Sequence, residues 1–321
     1  MTTVRRTAVA LALLALIAAP ASAHDVYLVA KEFTDAAGIT MWGFAEDLDG
    51  FGVGDPEGAA TSPGPVIRVP FGDTTLNIHV RNDLVGDDVS LFIPGQSKTL
   101  APVFVVDGQG RERVQSFDVV TAADGGTNTY TWTNVKPGSY IYQSGSDIRT
   151  QVPMGLYGAL IVESDAVYDN EAILFFSEVD PAVNNAVPPA QAGPDYRPQH
   201  FMVNGASYPS AAPIWASDAL VGQTVLLRLF NIGLDDAMPM VNGLRMKVIA
   251  EDGNLLPAAG MPDAPGQYSV LLPAGKTIDA VVTAAAPGSY AIFDRSLRLD
   301  NGAGVPDDGG QLVYLDFAAA P

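Results

Sequence analysis

The sequence predicts an all-β protein made of two tandem copies of one domain, each a sandwich or a barrel. Three observations predict it. Glycine and proline are abundant, at 32 and 24 of 321 residues, in a chain that is still 48% hydrophobic; that mixture suits turn-rich β-structure rather than disorder. Apolar residues alternate with polar ones over short runs bounded by turn residues. Finally, the chain repeats itself. Gly72, Thr74 and Leu76 recur as Gly222, Thr224 and Leu226, and Pro137-Gly138-Ser139-Tyr140 recurs as Pro287-Gly288-Ser289-Tyr290. Both signals share one offset of about 150 residues, an ordinary domain size.

The elements follow in order. Residues 1–23 read as a secretory signal peptide: Arg5 and Arg6, an apolar run from Thr7 to Ala19, then the small-residue site Ala21-Ser22-Ala23. The apolar run is too short for a permanent membrane span, and no later stretch approaches that length. The expected location is therefore periplasmic or secreted, with a mature chain beginning at His24. Leu76, Ile78 and Val80 alternate with Asn77, His79 and Arg81, the period of a half-buried strand. Val225 to Phe230 is more continuously apolar, as in a better buried strand. Each Pro-Gly-Ser-Tyr is a turn opening a strand, since proline presets φ and glycine permits the turn. Ala159 to Glu163 and Leu312 to Phe317 read as closing strands. Pro181 to Pro198 holds five prolines and reads as a connecting arm. The expected domains are 24–165 and 166–321.

The chain has no cysteine, so no disulfide supports it even in an oxidising compartment. Its formal charge is −19. A field of that sign disfavours nucleic acid and anionic membrane surfaces, and otherwise argues solubility.

Ser62-Pro63-Gly64-Pro65-Val66-Ile67-Arg68-Val69 with Gly72-Asp73-Thr74, then Asn82-Asp83-Leu84, Phe201-Met202-Val203-Asn204-Gly205, Arg228-Leu229-Phe230-Asn231-Ile232-Gly233, Val248 to Gly253 and Leu272 to Ala280 stand in an order that resembles domains one and two of the multicopper oxidases. The resemblance covers nearly all of the mature chain. It implies two tandem cupredoxin-like Greek-key β-sandwich domains, and it implies copper-dependent oxidation. The copper ligands do not follow. The family's first His-x-His falls on Phe92 and Pro94, and its second on Gln143 and Gly145. Phenylalanine, proline and glycine offer no side-chain donor, and glutamine is a poor ligand for copper. A blue copper centre needs a thiolate, and the three histidines are too few for the family's cluster. Nor does the family's copper-bearing third domain follow the two copies.

These vacancies lead to the expectation of a non-catalytic binding or assembly module with no cofactor. Its partner would be another protein or a second copy, met through a cupredoxin domain edge. Two alternatives keep copper: an oxidoreductase using copper from a partner subunit or from His24, or periplasmic copper handling. In a mature chain His24 offers both its α-amino group and its imidazole, and it needs a second imidazole from His79 or His200. Met238, Met240 and Met246 are soft donors for the handling role, although core filling is their commoner use. Asp294, Arg295 and Arg298 form a charged patch suited to a salt bridge or a carboxylate ligand. Asp47-Leu48-Asp49-Gly50 and Asp307-Asp308-Gly309-Gly310 offer oxygen to Ca²⁺ but lack a full ligand set.

Overall fold

The structure is a computed structural model, and it describes residues 23–52, 58–215, 219–261, 264–302 and 309–320. The segment expected to be a signal peptide lies outside these residues except for Ala23, as do Asp307 and Asp308 of the second acidic turn.

The first half builds β1 (Ala23–Thr34), β2 (Thr40–Glu46), β3 (Ile67–Val69), β4 (Thr75–Asn82), β5 (Leu91–Phe92), β6 (Val103–Val106), β7 (Glu112–Ser116), β8 (Gly126–Thr133), β9 (Gly138–Ser144), helix α1 (Ile148–Met154) and β10 (Tyr157–Val162). One sheet runs β2-β1-β4-β8 and the facing sheet β3-β10-β9-β5, while β6 and β7 form a separate hairpin. The second half builds β11 (Asn170–Val179), helix α2 (Pro181–Asn184), β12 (His200–Val203), β13 (Ile214–Trp215), β14 (Ala219–Leu220), β15 (Thr224–Asn231), β16 (Pro239–Val241), β17 (Lys247–Glu251), β18 (Asn254–Leu255), β19 (Thr277–Thr283), β20 (Gly288–Asp294) and β21 (Leu312–Ala318). Its sheets run β12-β11-β15-β19-β17-β18 and β14-β21-β20-β16. These are two tandem cupredoxin sandwiches, as expected from the family resemblance.

The repeat in the sequence is a repeat in topology. β4 and β15 start at equivalent places, are equally long, and each pairs in parallel with the first strand of its half. β9 and β20 open at Gly138 and Gly288, whose φ values of 133° and 149° disfavour a side chain. The arm from Pro181 to Pro198 contains one helical turn, α2, and otherwise has no regular element.

Each sandwich has its own core. Leu28, Phe44, Ile78, Trp132 and Tyr142 lie in the first, and Leu174, Leu229, Met246, Ile278 and Leu315 in the second. A third cluster joins them. Tyr157, Ala159 and Ile161 on the outer face of β10 pack on Ile173 and Phe175 of β11 and on Phe230 of β15. The Phe175 and Phe230 rings stack at 4.7 Å. This contact explains the uninterrupted apolar runs of β10, β11 and β15, because strands covered on both faces lose the alternation.

Candidate functional site

Of the four positions that the family resemblance maps onto copper ligands, Phe92, Gln143 and Gly145 are brought together by local strand pairing. β5 pairs antiparallel with β9 so that Phe92 stands opposite Gln143 and Leu91 opposite Ser144. Gly145 follows β9 and bonds back, its N–H donating to the Ser90 carbonyl at 3.1 Å and its carbonyl accepting from Phe117 N–H at 2.9 Å. Three of the four positions therefore share one patch. A Cβ on Gly145 would come within 2.8 Å of Ser90 Oγ, 3.3 Å of Phe92 Cβ and 3.5 Å of Phe117 Cβ. The Phe92 and Phe117 rings lie 5.2 Å apart. Phenylalanine thus fills the space beside Gly145.

Beneath this patch, the hydroxyls of Ser90, Ser116 and Ser146 form a closed triangle with sides of 2.7, 3.0 and 3.1 Å. All three residues are buried. Ser116 Oγ also lies 2.7 Å from the Asp118 carbonyl, and Ser144 Oγ donates to Gln151 Oε1 at 2.6 Å. Buried hydroxyls that satisfy one another fix the local backbone. Placing an imidazole here is expected to be harmful: Gly145→His should lower unfolding free energy by about 1–3 kcal/mol through overpacking. Thermal unfolding checks this, and an unchanged midpoint would mean that the space is open.

On its outer side Gly145 borders a cleft of about 610 Å³, also lined by Val105, Phe117, Ile148 and Arg149. The β6–β7 hairpin forms one wall and exposes Phe104, Val106 and Val114. Asp107 clamps its turn, accepting from the N–H groups of Gln109 and Arg111 at 2.9 Å and pairing with Arg111 and Arg113. Those bonds hold the Asp107 carboxyl below its ordinary pKa. Neither the hairpin nor Phe117 was among the residues singled out from the sequence. The signal was present in Val103-Phe104-Val105-Val106 followed by Asp107-Gly108-Gln109-Gly110. Pro94, the fourth position, lines a second cleft of about 410 Å³ with Tyr140, Asp252 and Lys276.

The histidines are dispersed. His24 pairs with Leu76 across β1 and β4, on the row that continues into buried Val26 and Leu28. His79 lies on the opposite face of the same sheet. Its Nε2 is 3.0 Å from Asp25 Oδ1, its Nδ1 is 2.8 Å from Thr129 Oγ1, and its ring stacks on Tyr27 at 4.3 Å. The hydrogen bond from His79 holds the Asp25 carboxyl low. His200 is buried at the start of β12, opposite Val179. The structure thus does not bring the three imidazoles together. Among the described residues, no group of three or more His, Cys, Asp or Glu is placed to hold a metal ion. Met246 is a core residue. Asp294 and Arg298 form a salt bridge at 3.3 Å, and Arg298 also pairs with Asp235 at 3.0 Å. Asp47 turns its Oδ1 onto the N–H groups of Asp49 and Phe51.

Fold and site together define a tandem cupredoxin protein. Two multicopper oxidase family models match, one over residues 59–167 and the other over 177–311, together more than half of the chain. The chain belongs to the multicopper oxidase family. No curated protein sequence matches it. Among solved structures it is similar to a blue copper oxidase from Nitrosomonas europaea, with 19% identity and a TM-score of 0.70 over 92% of this chain and 85% of that one. It is also similar to a copper nitrite reductase from the same organism, with 20% identity and a TM-score of 0.65 over 92% and 94%. At such identities these likenesses show the fold. Among the described residues, no helix is long and apolar enough to cross a membrane.

The family membership corrects the expectation that no cofactor belongs here. Copper is the metal of this family and of the named neighbours. That expectation was drawn from four positions, whereas membership is carried by the scaffold. The donor set at those four positions nonetheless does not fit copper: one carboxamide beside phenylalanine, proline and a glycine with no room for a side chain.

Proposed function

We propose that this chain is an exported member of its family that works as a binding or assembly module, in two domains that meet near residues 165–166. The carrying observation is the closure of the Phe92, Gln143 and Gly145 patch by Phe117 and Ser90 within an intact scaffold. A site refilled by aromatic packing supports a recognition role over turnover, and scaffold likeness alone is weak warrant for activity. The binding face is the cleft beside Gly145 with the exposed apolar side of the β6–β7 hairpin, since clustered exposed apolar residues mark interaction surfaces. The partner is a protein, either a second copy or another chain.

Oxygen uptake with a one-electron donor, measured on the mature chain with added copper(II), tests the reading. The expected rate is that of the same copper without protein. Turnover abolished by a chelator and restored by copper would overturn it, and would favour an oxidoreductase that draws copper from His24 or from a partner.

A further inference from the structure

A third cleft, of about 470 Å³, opens between the two sandwiches. Its volume falls in the range of small-molecule sites, roughly 300–1,000 Å³. Apolar walls come from Val162, Leu226, Ile249 and Leu255, and polar groups converge from Tyr168, Arg228 and Asp279.

Behind Asp279 an ion network runs through Arg228 into the neighbouring cleft, which Glu163 and Glu171 line. In that network three carboxylates, Glu163, Glu171 and Asp279, share two guanidiniums among the described residues. Arg68 binds Glu163 at 2.8 Å and Glu171 at 3.1 Å, and Arg228 Nε binds Glu171 at 2.7 Å. Asp279 is left with Arg228 Nη1 at 3.5 Å, well beyond the roughly 2.7–2.9 Å of a charge-assisted hydrogen bond. Asp279 Oδ1 accepts from Ser139 Oγ at 2.6 Å, but Oδ2 has no partner as close. Asp279 is only 6% exposed. Burial pushes its carboxyl above the ordinary range, against the nearby Arg228 charge and the Ser139 bond. Tyr168 stands half-buried beside it and makes no hydrogen bond to a described residue. Lys136 and Asp165 at the solvent rim carry opposite charges and offset each other.

We propose that this cleft binds a small organic ammonium with an apolar body, the cation on Asp279 Oδ2 and the body between Leu226, Ile249 and Leu255. The inference is independent of the docking face beside Gly145. An ammonium supplies the missing positive charge and donates to both Asp279 and the Tyr168 hydroxyl, while its apolar body covers Leu255, which is 77% exposed. A carboxylate ligand would meet the buried Asp279 carboxyl and the surplus negative charge of the network behind it.

The test is calorimetric titration of the mature chain with 2-phenylethylamine, its neutral analogue 2-phenylethanol and its anionic analogue phenylacetate. The ammonium is expected to bind at least about tenfold more tightly than either analogue, the value of one charged hydrogen bond. Asp279→Asn should remove that preference. Leu255→Trp, at an exposed rim position away from the ion network, should weaken the ammonium by narrowing the cleft. Equal binding of the three probes, preference for phenylacetate, no binding up to roughly 10 mM, or an unaltered Leu255→Trp titration would each overturn the proposal.

Discussion

Arg228→Leu is expected to lower the unfolding free energy by roughly 3–5 kcal/mol, the cost of leaving buried charge unpaired. Arg228 is 8% exposed on β15 and binds across three strands: Glu171 of β11 at 2.7 Å, Ser139 Oγ of β9 at 2.9 Å, and Asp279 of β19 at 3.5 Å. Ser139 belongs to the first sandwich and the others to the second, so one guanidinium ties the two halves together. Thr277 Oγ1 adds a bond to the Ser139 carbonyl at 2.9 Å. Leucine would leave Asp279 with no nearby cation and Glu171 with Arg68 alone. The double variant Arg228→Leu/Asp279→Leu should recover much of the loss, since removing both partners of a buried pair costs far less than removing one. Urea unfolding at pH 7 measures both variants. A single variant within about 0.5 kcal/mol of the parent, the range of ordinary surface substitutions, would show that the network is not needed for stability. The loss should shrink at pH 4, where the orphaned Asp279 carboxyl, already raised by burial, can take up a proton.

The repeat was legible because it is written in turn residues. Gly72 and Gly222 have φ values of 98° and 84°, and Gly138 and Gly288 open equivalent strands, so each copy needs its glycines at the same places. The doubly buried strands were legible as apolar runs, but what covers them was not. Nothing in Leu160-Ile161-Val162 names Phe175 or Phe230 as its neighbours. The family pattern singled out Phe92 and Gln143, and the β5–β9 register places them side by side. Phe117, which completes the closure, reaches the patch through a non-local backbone bond to Gly145, and no periodicity encodes such a bond. His79 was correctly read on the polar face of its strand. Its partner Asp25 comes from a parallel strand, and parallel pairing leaves no short-range signature.

The closed patch and the open interdomain cleft lie at opposite ends of β9, with Gly138 at the cleft and Gly145 just past the strand's last residue. At one end aromatic packing fills the space beside Gly145. At the other, polar groups converge without full pairing. The two ends of one strand therefore carry different chemistry while the backbone register between β9 and β10 is unbroken from Gly138 to Gln143.

Glu178→Gln is expected to stabilise the protein in a pH-dependent way, by little at pH 4 and by up to about 3 kcal/mol at pH 8. Glu178 sits on β11 and is 5% exposed. Burial pushes its carboxyl from an ordinary 4.5 up to about 7, against the bonds it accepts from the Asp235 and Leu234 N–H groups at 3.1 and 2.6 Å. Gly233 makes room for it: a Cβ there would lie 1.9 Å from Glu178 Oε2. Below pH 4.5 the carboxyl is protonated in both states and contributes no difference. Between 4.5 and about 7 the unfolded chain releases the proton while the folded chain keeps it, so stability falls as pH rises. Above about 7 the cost is complete. Glutamine can accept the same two backbone bonds through its carbonyl oxygen and never ionises. Other raised carboxyls, Asp279 among them, titrate in parent and variant alike and cancel in the difference. Urea unfolding of both proteins from pH 4 to pH 8 gives that difference directly. A difference that does not vary with pH would show that Glu178 ionises normally in the folded protein.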